Sequence, residues 1–261
     1  MRLRYLLLVG FCLSVFALKA QVDDITFRRV SPPGGLSFQA VHTFKQDKFG
    51  YIWMGSFDGV FRYNSKEIIQ FIHNPDEPNG LPSDIVTSLA IDQQNNNIWV
   101  STEKGLCLFN QELQKFERIF YTYEDGTTAK DHILSIALDK DGKLWIAEEN
   151  FFGFLDMTNQ QLVRIKMDLK DDPLRFIYND DANRLWLGTD KGAVYSVLNN
   201  GESIEKIIQG PGSFVRTIYA DKDEIWVGYE SHGARLFDLK GNLKIHYSYP
   251  ANPKFNVESV S

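Results

Sequence analysis

Asp47-Lys-Phe-Gly-Tyr-Ile-Trp53-Met-Gly55 decides the fold, because the chain repeats this phrase five times. The other copies run from Asp92 to Ser101, Asp139 to Ala147, Asp180 to Gly188 and Asp221 to Gly228, carrying Trp99, Trp145, Trp186 and Trp226. The tryptophans stand 46, 46, 41 and 40 residues apart, and the chain has no others. Each has an apolar residue on both sides and a small residue two positions on: Gly55, Ser101, Ala147, Gly188 or Gly228. A period of roughly 40–50 residues marks a repeat architecture. A residue that recurs in every unit serves the scaffold, so specific chemistry is to be sought where the units differ.

Working upstream, each tryptophan is preceded by an apolar pair three residues apart: Val41 and Phe44, Val86 and Leu89, Ile133 and Ile136, Leu174 and Ile177, Val215 and Ile218. This reads as a first strand closed by the aspartate. The short carboxylate of Asp47, Asp92, Asp139, Asp180 or Asp221 can accept backbone N–H groups across a tight turn. The late turn position holds Gly50, Gly142 or Asn183, with Asn96 or Asn97 in the longer second turn, and these residue types accept positive φ at low cost. Calcium is the competing use of such acids, but no run of alternating acids is dense enough to supply about six oxygens. The reading requires no metal and no cofactor.

Downstream, the tryptophan strand leads through a loop to a third strand that opens on glycine: Gly59, Gly105, Gly192 and Gly233. Unit three has Phe151 where this glycine is expected. A fourth, more polar strand follows at Ile68 to Ile72, Phe116 to Tyr121, Leu162 to Met167, Ile204 to Ile208 and Leu243 to Tyr247. Polar character suits an outermost strand with a wet free edge. Four antiparallel strands per unit, repeated, predict an all-β fold, a β-propeller of four-stranded blades. The predicted blades cover approximately 38–73, 84–123, 131–168, 173–209 and 214–249. The five tryptophans are then inter-blade packing.

Val257-Glu-Ser-Val260 copies the start of a first strand 42 residues after Val215, so a sixth blade is predicted to begin at 255. Residues 25–30 read as a strand with no blade of its own. Together these predict an incomplete propeller over 21–261, an open arc cut from a longer protein. Pairing of 25–30 with the Leu243–Tyr247 strand, sealing five blades into a ring, would contradict it.

Residues 1–20 stand outside the fold. A short basic start, an apolar run from Tyr5 to Leu18 and the Ala20-Gln21 junction read as a secretory signal peptide cut after Ala20. The run of about 14 residues is short of the ~20 that a spanning helix needs, and an uncleaved N-terminal anchor is the alternative. Cleavage lowers Lys plus Arg from 28 to 25 against 34 acids, a net charge of about −9. That balance argues against nucleic acid, whose phosphates need a basic footprint. Cys12 leaves with the leader, so Cys107 has no disulfide partner; its apolar neighbours Leu106 and Leu108 point to a buried, inert thiol.

Asp47-Lys-Phe-Gly-Tyr-Ile-Trp-Met-Gly-Ser-Phe-Asp-Gly-Val-Phe-Arg-Tyr63, Leu185-Trp-Leu-Gly-Thr-Asp-Lys-Gly192 and Gly35-Leu36-Ser37 resemble the two-component regulator propeller repeat. The resemblance covers roughly 22–261, with departures at Ala147-Glu148, at Phe151 and before Gly233. It implies the periplasmic sensor region of a hybrid two-component histidine kinase, common in glycan-degrading gut bacteria. The implied partners are an oligosaccharide ligand, the rest of the sensor chain and a homodimer partner. The implied whole protein is anchored in the inner membrane and acts on glycan-use genes through a kinase. This chain itself carries no phospho-acceptor histidine context and no nucleotide-binding glycine motif, so it is not expected to be an enzyme.

Chain direction places the loops after the tryptophan strands and the crossovers between blades on one side of the disc, with the aspartate turns on the other. The variable residues of the first side are the candidate ligand-binding set: His42, Phe57, Glu103, Glu148, Phe151, Arg175, Asp190, Arg216, Tyr229 and His232. Arg175 and Arg216 occupy equivalent positions on adjacent blades, with His42 their counterpart in unit one. Such an arc can grip a carboxylate or sulfate on a sugar, because arginine makes bidentate contacts. Phe57, Phe151 and Tyr229 can pack against sugar rings. The competing reading pairs the arginines with acids of nearby loops. A protein–protein propeller is an alternative function, and a propeller glycosidase or lyase another, suggested by Glu148-Glu149. Glycosidase chemistry needs two carboxyls facing across a substrate at about 5–10 Å. The five histidines, 42, 73, 132, 232 and 246, lack metal-ligand spacing.

Overall fold

In the computed structural model, which describes residues 40–247 apart from 130, 131 and 170, each Asp-to-Trp phrase folds as the turn and second strand of a hairpin. The Asp47 carboxylate accepts the backbone N–H of Phe49 at 2.9 Å and of Tyr51 at 3.0 Å, while Gly50 adopts φ +86°. Asp139 and Asp180 repeat the arrangement, with Gly142 and Asn183 at positive φ. In these three units the other carboxylate oxygen accepts the indole N–H of the tryptophan six residues on, each at 2.9 Å. The aspartate thus fixes the turn and the ring together.

Five sheets follow in chain order. Blade one is β1 (Val41–Gln46), β2 (Ile52–Ser56), β3 (Gly59–Tyr63) and β4 (Ile68–Phe71). Blade two is β5 (Val86–Asp92), β6 (Asn97–Thr102), β7 (Gly105–Asn110) and β8 (Lys115–Ile119). A short β9 (Thr122–Tyr123) comes before blade three, which is β10 (Ser135–Leu138), β11 (Leu144–Glu148), β12 (Phe151–Asp156) and β13 (Gln161–Ile165). Blade four is β14 (Leu174–Asn179), β15 (Leu185–Thr189), β16 (Val194–Leu198) and β17 (Ser203–Ile208). Blade five is β18 (Val215–Ala220), β19 (Glu224–Tyr229), β20 (Gly233–Asp238) and β21 (Leu243–Tyr247). Each blade is an antiparallel meander, as expected for a propeller. The sequence placed residues 122–123 at the end of blade two. They instead pair, parallel, with β13 and give blade three a fifth strand. The free outer edge of β13 offers unpaired backbone groups, and the crossover from blade two runs along it.

The inner strands stand side by side in order: β1 meets β5, β5 meets β10, β10 meets β14 and β14 meets β18. Four apolar clusters fill the seams. Trp53 packs among Val86, Leu89 and Ile98 of the next blade; Trp99 packs among Ile133, Ile136 and Leu144. Trp145 joins Leu174 and Ile177, and Trp186 joins Val215 and Ile218. Each of these four tryptophans therefore belongs to the seam with the following blade.

The same seams explain the small residue two positions after the tryptophan. A Cβ on Gly55 would lie 2.5 Å from Val86 Cγ1, and one on Gly188 would lie 2.5 Å from Val215 Cγ1. Overpacking a close-packed seam costs about 1–3 kcal/mol. Gly188→Ala should therefore lower the free energy of urea unfolding by about that amount. A change near zero would show that blades four and five do not approach so closely.

At the two ends the pattern stops. Phe44 is 38% exposed, whereas its counterparts Leu89, Ile136, Ile177 and Ile218 are at most 3% exposed. Trp226 is half-buried, whereas the other four tryptophans are buried. Among the described residues, no inner strand packs on the outward side of β1 or β18 in the way β1 packs on β5. The expected sixth-blade start at 255, the strand at 25–30, Gly35-Leu36-Ser37 and the signal peptide 1–20 lie outside the described residues.

Candidate functional site

Each inner strand starts beside the end of its tryptophan strand, on the side of the blade where the following loop lies. In four blades the register with the second strand slips by one residue, between Val41 and Thr43, Val86 and Ser88, Leu174 and Phe176, and Val215 and Thr217. The residue left over is His42, Thr87, Arg175 or Arg216. A β-bulge re-aims its extra side chain and commonly sits beside a functional site. The inner-strand positions that the sequence singled out as variable are therefore the bulged ones.

The loops after the tryptophan strands meet the incoming crossovers on this side, as chain direction required. Backbone bonds run from Gly59 N–H to the Asp84 carbonyl, from Glu103 to Ile85, from Asp190 to Pro173 and from Glu230 to Phe214. Side chains from the crossovers then lock the loops. Ser83 donates to Glu103 at 3.1 Å. Asp172 accepts the Lys191 N–H at 2.7 Å and the Thr189 hydroxyl at 2.9 Å. The Ser213 hydroxyl accepts the Ser231 N–H at 3.1 Å. These crossover residues were absent from the sequence reading, because a locking residue has no fixed type and varies between serine and aspartate.

In blade one the His42 ring meets Phe57 edge-on at 4.0 Å, and Phe57 stays half-exposed. In blade two Glu103 lies between Ser83 and Lys104. In blade three Glu148 is buried and accepts the Tyr123 hydroxyl at 3.0 Å, while its neighbour Glu149 is exposed. Glu148 closes β11 and Glu149 lies in the turn that follows, so the two acids sit in different surroundings, one buried and one exposed. Phe151 opens β12 directly after a two-residue turn and meets Tyr123 edge-on at 5.7 Å. The Arg164 guanidinium stacks over both rings, at 4.6 Å from Tyr123 and 5.5 Å from Phe151. Phe151 is thereby packed under β9 and Arg164, an arrangement the sequence could not reveal because Tyr123 comes from the preceding unit.

Blades four and five carry the charged part of the rim. Arg175 Nε donates to Asp190 Oδ1 at 2.6 Å, and Arg216 Nε donates to Glu230. Both ion pairs are partly exposed, and each lies within one blade. A pair of that kind adds only about 0–1 kcal/mol and does not tie blades together. What the two arginines share is Phe214, with guanidinium carbons 5.7 Å and 4.6 Å from its ring centre. The sequence reading missed Phe214, although Ser-Phe just before the Val215 strand was a visible signal.

Tyr229 corrects an expectation. Its ring is fully buried in the seam with blade four, among Trp186, Val194 and Val215, so it presents no face to a ligand. Burial pushes its phenol well above the usual range. The Arg235 guanidinium lies 5.6 Å from its ring centre. His232 remains at the rim, with Nδ1 3.3 Å from the Ser231 hydroxyl. Cys107 is buried against Val100, and burial pushes its thiol up. Among the described residues, no group of three His, Cys, Asp or Glu side chains is placed to hold a metal. No helix among them is long and apolar enough to cross a membrane.

Residues 80–104, from the blade-two crossover to Lys104, match the family model described as Two component regulator propeller. Over 67 residues the chain is 31% identical to Histidine kinase P4 of Formosa agariphila, covering 26% of this chain and 5% of that protein. The fold is shared with the extracellular domains of two hybrid two component systems of B. thetaiotaomicron. One is 19% identical with TM-score 0.57, covering 87% of this chain and 36% of that domain. The other is 18% identical with TM-score 0.57, covering 89% and 36%. It is also shared with virginiamycin B lyase from Staphylococcus aureus, 16% identical with TM-score 0.64, covering 82% and 72%. The chain thus spans about a third of the sensor domains it resembles. The regulator propeller resemblance read from the sequence is met by the family model, and the solved structures share the all-β propeller architecture.

Proposed function

We propose that this chain is the ligand-sensing part of a periplasmic two-component receptor, recognising a glycan-derived oligosaccharide on the bulged rim. Residues 1–20 export it. In the whole receptor, a homodimer anchored in the inner membrane, occupancy of the rim controls expression of glycan-use genes through a kinase beyond this chain. The five blades form an open arc, and a sixth starting at 255 continues it past Trp226. The observation that carries the reading is the division of labour between repeated and varied residues. The aspartates and tryptophans repeat in every unit, with Asp47, Asp180 and four of the five tryptophans buried, whereas the rim residues His42, Phe57, Glu103, Arg175, Asp190, Arg216 and His232 do not recur in every blade. The regulator propeller match at 80–104 and the likeness to sensor domains support the same conclusion.

The likeness to the lyase supports a second reading, in which the rim carries catalysis. The surroundings of Glu148 disfavour glycosidase chemistry through that acid, since its carboxylate is buried against the Tyr123 hydroxyl while Glu149 is exposed. Thermal melts across a panel of oligosaccharides, with product followed in the same samples, separate the readings. A ligand at a hundred times its Kd stabilises the folded state by about 2.7 kcal/mol, a rise in Tm of several degrees. The sensor reading expects that rise for one oligosaccharide class and no product. Turnover that Glu148→Gln abolishes would establish an enzyme. Indifference to every sugar, with capture of another periplasmic protein, would favour the interaction propeller.

A further inference from the structure

We propose that Arg175, Phe214 and Arg216 form an anion clamp between blades four and five, which takes a carboxylate or sulfate group of the ligand. This rests on the sensor reading above, since it names the chemistry of that same rim. Both arginines occupy bulges, so both side chains are aimed by the same backbone irregularity on neighbouring inner strands. Each guanidinium is held through Nε, by Asp190 in blade four and by Glu230 in blade five. Neither Arg175 nor Arg216 has a further hydrogen bond among the described residues, so the paired Nη groups of both remain available as donors. An arginine whose Nε is engaged still offers a planar fork, which suits an oxyanion rather than a lone hydroxyl.

The acids and the ring have a consistent part in this. Asp190 and Glu230 fix the arginine rotamers before a ligand arrives, which lowers the ordering cost of binding. The half-buried Phe214 ring lies beside both cations and gives them a common platform. Had the arginines served only to bind blades together, their acids would sit across the seam. Both acids instead sit in the same blade as their arginine, and the shared element across the seam is an aromatic ring.

The test is calorimetric titration of the 261-residue chain, freed of its leader, with three oligosaccharides of equal length. One carries glucuronate, one carries sulfate esters and one is neutral. Arg175→Lys and Arg216→Lys keep the charge and remove the fork, and thermal melts confirm that both remain folded. The expected result is at least tenfold tighter binding of one acidic arm than of the neutral arm, weakened by added salt. Each lysine variant should lose about tenfold in that arm. The acidic arm that binds decides between carboxylate and sulfate. Acidic binding that both lysine variants leave intact would overturn the clamp, because the anion would then sit elsewhere. Equal binding of the neutral arm would overturn it while leaving the sensor reading standing. Absence of binding in every arm would remove both.

Discussion

Trp186→Ala should cost the fold about 3–5 kcal/mol, while Trp226→Ala should cost far less, about 1 kcal/mol. The two residues hold the same place in neighbouring units, so sequence alone assigns them equal weight. The structure separates them. Trp186 is 2% exposed and fills the seam between blades four and five with Val215, Ile218 and Ile225. Its removal leaves a cavity in a seam that can collapse only by shifting a whole blade. Trp226 is half-buried and stacks on the exposed Tyr247 ring at 5.7 Å. In a repeat architecture, stability is close to a sum of unit terms and neighbour terms. Loss of Trp186 should therefore also split urea unfolding into two steps, with blade five melting first. Equal losses for both variants would show that the outward side of blade five is covered as fully as the seam.

Asp180→Ala should be the second most damaging change, at about 2–4 kcal/mol. Its side chain is fully buried and accepts four hydrogen bonds. The donors are the Ala182 and Arg184 N–H groups, Arg184 Nε at 2.7 Å and the Trp186 indole at 2.9 Å. Alanine strands all four and leaves the Arg184 guanidinium without its partner in the turn. Asp221 is the control, because among the described residues its carboxylate accepts only the N–H groups of Asp223 and Glu224 and reaches no indole. The spacing is the reason. Aspartate and tryptophan are six residues apart in blades one, three and four, but seven apart in blade two and five apart in blade five. Asp221→Ala should therefore be clearly milder in the same unfolding series. Equal effects would mean that neither the indole bond nor the Arg184 contact contributes.

These two comparisons also mark how far the sequence could be read. Period, strand order and blade count among the described residues were legible, because turn aspartate, flanking apolar residues and tryptophan recur in register. The indole bond was not, although the spacing of six residues was in view, since nothing in one strand reports where an indole N–H points. The fifth strand of blade three escaped because Thr122–Tyr123 pairs with residues almost forty positions on. At the rim, the bulged arginines stood out by type and position. Pairing with acids of nearby loops was open to the sequence as the competing reading, and Asp190 and Glu230 meet it, whereas Phe214 was missed because it reaches both arginines only in the folded loops. Tyr229 was misplaced for a related reason. It ends a strand beside a polar loop and so looks exposed, yet its ring turns back under Gly192 of blade four.

The central claim is that the repeated residues hold the blades while the varied rim recognises the ligand. One NMR titration tests it most directly. An acidic oligosaccharide is added to the 15N-labelled chain, and the arginine Nε–H and tryptophan indole signals are followed together. The account predicts that the Arg175 and Arg216 signals move to saturation while the indole signals of Trp53, Trp99, Trp145, Trp186 and Trp226 stay in place. Movement of the indole signals with the arginine signals unchanged would contradict it.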